Sequence, residues 1–488
     1  MTPENAPVLI FLCPFVVALL LPVLRFDKRL AYYGAVVALA ASAGLSYWGL
    51  TLVQNGTAIS HFMGGWLAPY GIEWYLDSLS ALMAFLVTSI ALIVVFATGE
   101  TVEREIGTVR IPYYTIALLH LSGLLGMILT RDFFNFFVFL EVASLTAYAL
   151  VATGDNVRGN MASLRYLFIG TLGASFYLLG VGYLYAGTGT LNMTDMAARL
   201  PGFIGSRTAF LGILFIFLGL AVKMGLFPFH GWLPDSYAHA SDSASALLAP
   251  LTTKVIIYSF IRIFFSVFQV SVIEQFSLDT VLLVVGAIAV IAGSFLAFVQ
   301  TNFKRMLAYS TISHIGLIML GIGLLEKTAF LGAVLHILNQ AVMKAGLFLI
   351  AAAAAHRHGI RDILDFTRLR ARMPWTLAAF ILIALSMIGA PPLFGFFSKW
   401  YILLGAIKTG QHWVAVLVVG SSLLTALYFF RVLERIFFTS PPVSETVAEA
   451  PWRLLACTGL ISIALFVFGL LAPKIFTWGL ITLIPKGL

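Results

Sequence analysis

Fourteen stretches of about twenty mostly apolar residues follow one another along this chain: 7–24, 31–53, 76–99, 112–130, 133–152, 164–186, 208–229, 244–268, 278–299, 307–325, 328–355, 375–405, 412–438 and 452–472. A helix of that length crosses the hydrocarbon core of a bilayer, which is about 30 Å thick. Lipid offers no hydrogen bonds to the backbone, so consecutive apolar runs have to be helices. The pattern predicts an all-α polytopic membrane protein with one membrane domain over residues 1–488. Composition agrees. Only 10% of residues are charged, against about 25% in soluble domains. The first run lacks a basic leader and is followed by Arg25, Lys28 and Arg29. It therefore reads as a retained span.

Charge sets the expected orientation. Loops 25–30, 300–306, 356–374 and the region 431–453 are rich in Arg and Lys, and with fourteen spans they share one face. The positive-inside rule makes that face cytoplasmic. Loop 54–75 contains no Lys or Arg and faces out, so both termini are expected on the external side of a bacterial or archaeal cytoplasmic membrane. The segment EREIGTVR, 103–110, carries mixed charge and adds a weaker vote for the cytoplasmic face. The net charge of +8 reflects this topology rather than nucleic-acid affinity. Cys13 and Cys457 lie in apolar runs, which argues against a disulfide framework or a thiolate metal site. Gly187 and Gly189 follow a span rather than a strand, so they form no phosphate loop. No cofactor, metal or nucleic acid is expected.

Two spans carry prolines. MGLFPFHGWLP places Pro228 where it cannot bond the carbonyl of Met224, and MIGAPPLFGFFSK places Pro391 and Pro392 in the twelfth span. With spans four to eight as one unit (112–268) and nine to thirteen as the next (278–438), each break falls in the fourth helix of its unit. Spans one to three occupy 1–111 and span fourteen 452–472. An odd number of spans per unit inverts the second unit. Interrupted helices at matching places point to inverted repeats around an ion pathway.

Ionisable groups inside spans are rare and usually functional. Glu141 is the only acid deep in a span, and Lys223, Lys254, Lys344 and Lys399 all sit well inside theirs. Arginine stays charged at any useful pH, whereas a buried lysine can give up its proton. A carboxylate approaching to 4 Å is worth about 4 kcal/mol at an effective dielectric of 20, enough to bias such a lysine. These five residues are therefore the leading proton-transfer candidates. The alternative is a static ion pair gluing helices. Lys223 and Lys399 lie near the breaks and are expected to approach unwound backbone. In the eleventh span His336, Gln340 and Lys344 recur at i, i+4 and share one face. An imidazole ordinarily titrates near neutrality, so His336 and His314 are candidates to relay protons, ranked below the lysines because a buried histidine is as often a packing residue. His230, His239 and Asp242 are secondary candidates, and His120 receives less weight because its sequence neighbours are apolar. Asp77 and Asp132 are read as helix caps; Asp242, an extra acid at the cytoplasmic entry near His239, is either a proton funnel or a cap, and the cap is favoured; Lys304 with Arg305 is read as a membrane-surface anchor.

These residues carry a resemblance. RDFFNFFVFLEVASLTAYAL, KMGLFPFHGWLPDSYAHA, LTTKVIIYSF, FKRMLAYSTISHIG, HILNQAVMKAGLF and GAPPLFGFFSKW occur in order between about residues 75 and 405. The chain resembles the antiporter-like subunits shared by respiratory complex I, membrane-bound hydrogenases and Mrp-type cation/proton antiporters. Within that family it looks most like the D-type Mrp subunit and the related hydrogenase subunit. The resemblance implies two inverted five-helix units and a polar axis along the membrane centre. It assigns Glu141 and Lys223 as a coupling pair, and Lys254 and Lys399 as central proton carriers. It implies membrane-subunit partners and proton transport, with exchange for Na+, redox drive and drive by inorganic-carbon uptake all left open. Two departures stand out. Gln340 replaces a common second histidine, leaving more of the relay to Lys344, and ASDSASALL replaces a proline-containing approach to the eighth span.

Overall fold

Helices satisfy their own peptide groups in lipid, and the apolar runs fold accordingly. The computed structural model describes residues 2–23, 28–153, 157–439, 448–475, 484–485 and 488. Arg25 of the first basic loop lies outside the described residues. Three helices open the chain: α1 (Ala6–Leu20), α2 (Lys28–Leu52) and α3 (Ser78–Ala97). An antiparallel hairpin, β1 (Ile59–Phe62) with β2 (Glu73–Leu76), fills the loop between α2 and α3. The first five-helix unit follows the short α4 (Gly99–Ile106). It comprises α5 (Arg110–Leu129), α6 (Phe133–Val151), α7 (Val157–Thr188), the short α8 (Met193–Arg199), α9 (Arg207–Met224) broken from α10 (Trp232–His239), and α11 (Asp242–Ile261). A π-helical turn at Arg262–Phe268 leads to α12 (Gln269–Gln275). The second unit comprises α13 (Leu278–Phe298), α14 (Phe303–Gly323), α15 (Lys327–His358), the short α16 (Thr367–Arg372), α17 (Pro374–Ile388) broken from α18 (Phe394–Lys408), and α19 (His412–Phe438). The last helix is α20 (Trp452–Lys474).

Among the described residues thirteen helical stretches are long and apolar enough to cross a membrane. The fourteenth expected crossing, 375–405, is the pair α17 and α18, which are 15 residues each and joined through the break. Both breaks differ from expectation in one respect: the prolines lie in the connectors and not within helices. Gly225 (φ 71°) and Gly389 (φ 95°) end α9 and α17 in the left-handed conformation before the chain reaches Pro228, Pro391 or Pro392. Glycine adopts that conformation without a Cβ penalty, so it stops the helix first.

The two units repeat the same backbone tie with opposite orientation. In the first, Phe133 N donates to Leu191 O at 2.9 Å and Met193 N to Arg131 O at 2.8 Å. In the second, Phe303 N donates to Arg361 O at 3.0 Å and Ile363 N to Thr301 O at 2.8 Å. Asp132 and Asn302 cap the helices that follow, accepting from Asn135 N and Arg305 N. The first tie lies on the face of the β-hairpin, the second on the basic-loop face. Close helix pairs recur as well. A Cβ on Gly180 of α7 would lie 2.6 Å from Gly212 O of α9, and one on Gly316 of α14 would lie 2.5 Å from Gly286 O of α13. Small residues permit this backbone approach between membrane helices.

Burial locates the centre of the molecule. The most apolar windows of α14 and α15 are 94% buried inside the chain, whereas those of α1 and α19 are 33% buried. A membrane helix enclosed by protein on all sides can carry polar groups that a lipid-facing helix cannot. The candidate residues His314, His336, Gln340 and Lys344 lie on these two enclosed helices.

Candidate proton-transfer axis

The string begins on α6. Glu141, Ser144 and Tyr148, at i, i+3 and i+7, line one side of the helix. Lys223 Nζ of α9 donates to Glu141 Oε1 at 3.2 Å and to Ser144 Oγ at 2.6 Å, and lies 3.5 Å from Tyr148 Oη. The lysine side chain is 3% exposed and the glutamate 24%. The expected approach of Lys223 to unwound backbone is not made. The side chain turns to α6 instead, because Gly225 ends α9 beyond it and the three polar groups of α6 face it.

His120 of α5, given less weight for its apolar sequence neighbours, has polar partners across the bundle. It is fully buried, with Nδ1 2.9 Å from Ala143 O and Nε2 3.1 Å from Thr252 Oγ1. A carbonyl only accepts, so the proton of the neutral ring sits on Nδ1 and Nε2 accepts from the threonine. His120 thereby links α6, one residue from Ser144, to α11, two residues from Lys254. Its partners come from 23 and 132 residues away in sequence, so no local pattern could have revealed them.

Lys254 is 2% exposed and donates to Ala249 O at 2.8 Å and Thr253 Oγ1 at 3.3 Å, without a carboxylate among the described residues. His314 Nδ1 lies 3.1 Å from His336 Nε2, and His336 Nδ1 lies 2.9 Å from Ser398 Oγ, so α14, α15 and α18 are joined. Lys344 Nζ donates to Leu307 O at 2.6 Å and Ser310 Oγ at 2.5 Å. Gln340 Nε2 touches Met387 Sδ at 3.7 Å, while Gln340 Oε1, Asn339 Oδ1 and His314 Nε2 have no hydrogen-bond partner among the described residues. Buried polar atoms of this kind are ordinarily satisfied by water. Lys399 does approach unwound backbone as expected. Its Nζ donates to Met387 O at 3.2 Å and Ile388 O at 3.0 Å, the last carbonyls of α17, and to Ser422 Oγ at 3.1 Å. Lys254, Lys344 and Lys399 all lie within charge–charge range of His314.

The secondary candidates fall elsewhere. His230 stacks on Phe227 at the first break, and His239 Nδ1 lies 3.0 Å from Asp235 O at the end of α10. Neither joins the central string. Asp242 is not the cap of α11: Ser241 fills that role, accepting from Ala244 N. Asp242 instead pairs with Lys304 at 2.7 Å. Lys304, expected as a surface anchor, is 8% exposed and also donates to Ala240 O at 2.8 Å. Asp77 and Asp132 do cap α3 and α6, and Asp77 also holds Arg262 at 2.6 Å.

Residues 130–425 match the family model described as NADH:quinone oxidoreductase/Mrp antiporter, TM. The chain is 42% identical over 453 residues to the N-type subunit of the NADH-quinone oxidoreductase of Desulforudis audaxviator, covering 92% of this chain and 89% of that one. It is 31% identical to the D-type subunit of the Na(+)/H(+) antiporter of Alkalihalophilus pseudofirmus, covering 98% and 96%. A chain of the membrane-bound sulfane sulfur reductase, an archaeal respiratory membrane complex, superposes with a TM-score of 0.90 at 29% identity, covering 98% and 96%. The chain therefore belongs to the NADH:quinone oxidoreductase/Mrp antiporter family of membrane subunits.

Proposed function

We propose that the chain is a proton-translocating, antiporter-like subunit of a multisubunit complex, of the D type found in Mrp antiporters. The observation that carries the reading is the buried string itself: one carboxylate–lysine pair, then three further lysines and two bonded histidines spread along the centre of the bundle. Keeping such groups in a bilayer costs several kcal/mol each unless they are used or paired. Lysine can hand on a proton where arginine cannot. In this reading Glu141 and Lys223 form the coupling pair. Closing the pair holds the proton on Lys223, and opening it frees that charge to bias Lys254. Lys254 passes the proton by way of Gln340-bound water, His314, His336 and Lys344 to Lys399, which faces the exit. The two five-helix units, 112–268 and 278–438, each supply half of the path.

The basic-loop face is read as cytoplasmic and both termini as external, in a bacterial or archaeal cytoplasmic membrane. Glu141 shares its side of α6 with exposed Phe134, Val138 and Leu145. A carboxylate facing lipid is costly, so this face is read as covered by another membrane subunit. The name of the 31% relative supports exchange of protons for Na+, whereas the 42% relative and the sulfur reductase favour redox drive. Co-purification separates these drives: a redox partner means pumping, small membrane-only partners mean antiport. The transport reading itself is tested by proton flux in inverted vesicles. Lys254→Ala in a fully assembled complex should abolish flux, and wild-type flux would sink the proposal.

A further inference from the structure

Outside the central string, a second buried charge cluster sits where α11 begins on the basic-loop face. Glu105 of α4 reaches across to that point. Its Oε1 accepts from Asp242 N at 3.1 Å, and its Oε2 accepts from Ser243 N at 3.3 Å and Ser243 Oγ at 3.1 Å. Asp242, 4% exposed, holds Lys304 at 2.7 Å and lies 3.9 Å from Arg361. The two carboxyl groups are thus unequal. Two cations fix the negative charge on Asp242, whereas Glu105 has no ion pair among the described residues. When two neighbouring carboxylates cannot both ionise cheaply, the one without a cation takes the proton.

The cluster leads inward. Lys304 Nζ lies 3.3 Å from Ser245 Oγ, which donates to Tyr237 O at 2.8 Å. Tyr237 is 1% exposed, and its hydroxyl lies against the Thr253 side chain. Thr253 Oγ1 in turn accepts from Lys254 Nζ at 3.3 Å. A tyrosine hydroxyl at this depth is both donor and acceptor, the chemistry needed to pass a proton through water. From Asp242 to Lys254 is twelve residues of helix, about 18 Å, and the Tyr237 hydroxyl stands at the inner end of that interval.

We propose that Glu105 collects protons at the basic-loop face for Lys254, with Asp242 as its fixed counter-charge and the Tyr237 hydroxyl as the relay nearest the lysine. The inference rests on the transport reading above. A proton from the aqueous face binds the Glu105 carboxylate. Glu105 returns to carboxylate as the neutral amine of Lys254 becomes ammonium. Tyr237 accepts one proton while donating another and ends unchanged. Burial, then the neighbouring charge of Asp242, pushes the Glu105 carboxyl up to about 7, so it exchanges protons near neutrality. The other groups facing the pair are Tyr113 of α5, Lys304 of α14, His356 of α15, and Arg361 in the loop after α15.

Glu105 also bonds two amides at the start of α11, so a plain capping role has to be separated from proton uptake. Glu105→Gln keeps one acceptor oxygen for one of those amides but cannot hold a proton, so the capping share of its effect is independent of pH whereas the uptake share is not. Tyr237→Phe removes the hydroxyl that faces Thr253 and keeps the aromatic ring. Proton flux is measured from pH 6 to pH 8.5 in vesicles containing the assembled complex, with Glu141→Gln alongside. The expected result is a flux lowered about 100-fold at pH 8 for Glu105→Gln, the lower end of the roughly 10²- to 10⁴-fold contribution of a positioned proton carrier, with the step in flux near pH 7 lost. Tyr237→Phe should slow flux across the whole range. Wild-type profiles in both variants, with Glu141→Gln inactive, would overturn this inference alone. Wild-type flux in Glu141→Gln would overturn the transport reading beneath it.

Discussion

Replacing Glu141 by glutamine removes the one deep carboxylate and almost nothing else. The amide has the same shape, and Ser144 and Tyr148 still hold Lys223 at 2.6 and 3.5 Å. Two unit charges 3.2 Å apart attract by roughly 5 kcal/mol at an effective dielectric of 20. The glutamate is 24% exposed, so screening and rehydration reduce the usable part to about 2–3 kcal/mol. If opening and closing this pair drives the proton step, losing it slows transport roughly 30- to 150-fold, at about 1.4 kcal/mol per tenfold. The assay is acidification of inverted vesicles followed by a pH-sensitive dye, with complex content checked by blotting. Flux within twofold of wild type at normal assembly would refute the reasoning and leave Glu141 as a helix contact.

Other outcomes follow from the same geometry. Gln340→His supplies a titratable ring one turn from His336 and should be tolerated, whereas Gln340→Leu removes an oxygen with no hydrogen-bond partner among the described residues and should slow flux without loss of assembly; the same vesicle assay reads both. Cysteines placed in loop 54–75 and loop 356–374 should label from opposite faces of the membrane, and labelling from one face would contradict the fourteen-crossing topology. His120→Leu should uncouple the Glu141 pair from Lys254, lowering flux as the bridge between Ala143 and Thr252 is lost; wild-type flux would make His120 a packing residue.

Much of the architecture is legible in the sequence because membrane helices announce themselves by length and apolarity, and because breaks in a buried helix need Gly or Pro. The positions of Lys254, Lys344 and Lys399 are legible for the same reason: a lone charge in an apolar run stands out. What the sequence hides are partnerships made across the bundle. His120 meets Thr252, Lys304 meets Asp242, and Glu105 meets Ser243, each between distant elements. The stop of each broken helix is hidden too, because a glycine three residues before Pro228 and two before Pro391 ends the helix first. By sequence alone Asp242 resembles a cap; only the fold reveals that Ser241 already caps α11 and frees Asp242 for Lys304.

The central claim is that the buried lysines act by releasing protons and not by holding charge. Lys399 tests it most directly, because its contacts with Met387 O and Ile388 O would suit a mere helix-end clamp equally well. Arginine satisfies such carbonyls and keeps the charge, but does not release a proton at neutral pH. Proton flux in assembled complexes carrying Lys399→Arg should be as low as in Lys399→Ala. Rescue of flux by arginine, with alanine inactive, would show that Lys399 is an electrostatic strut and contradict the account.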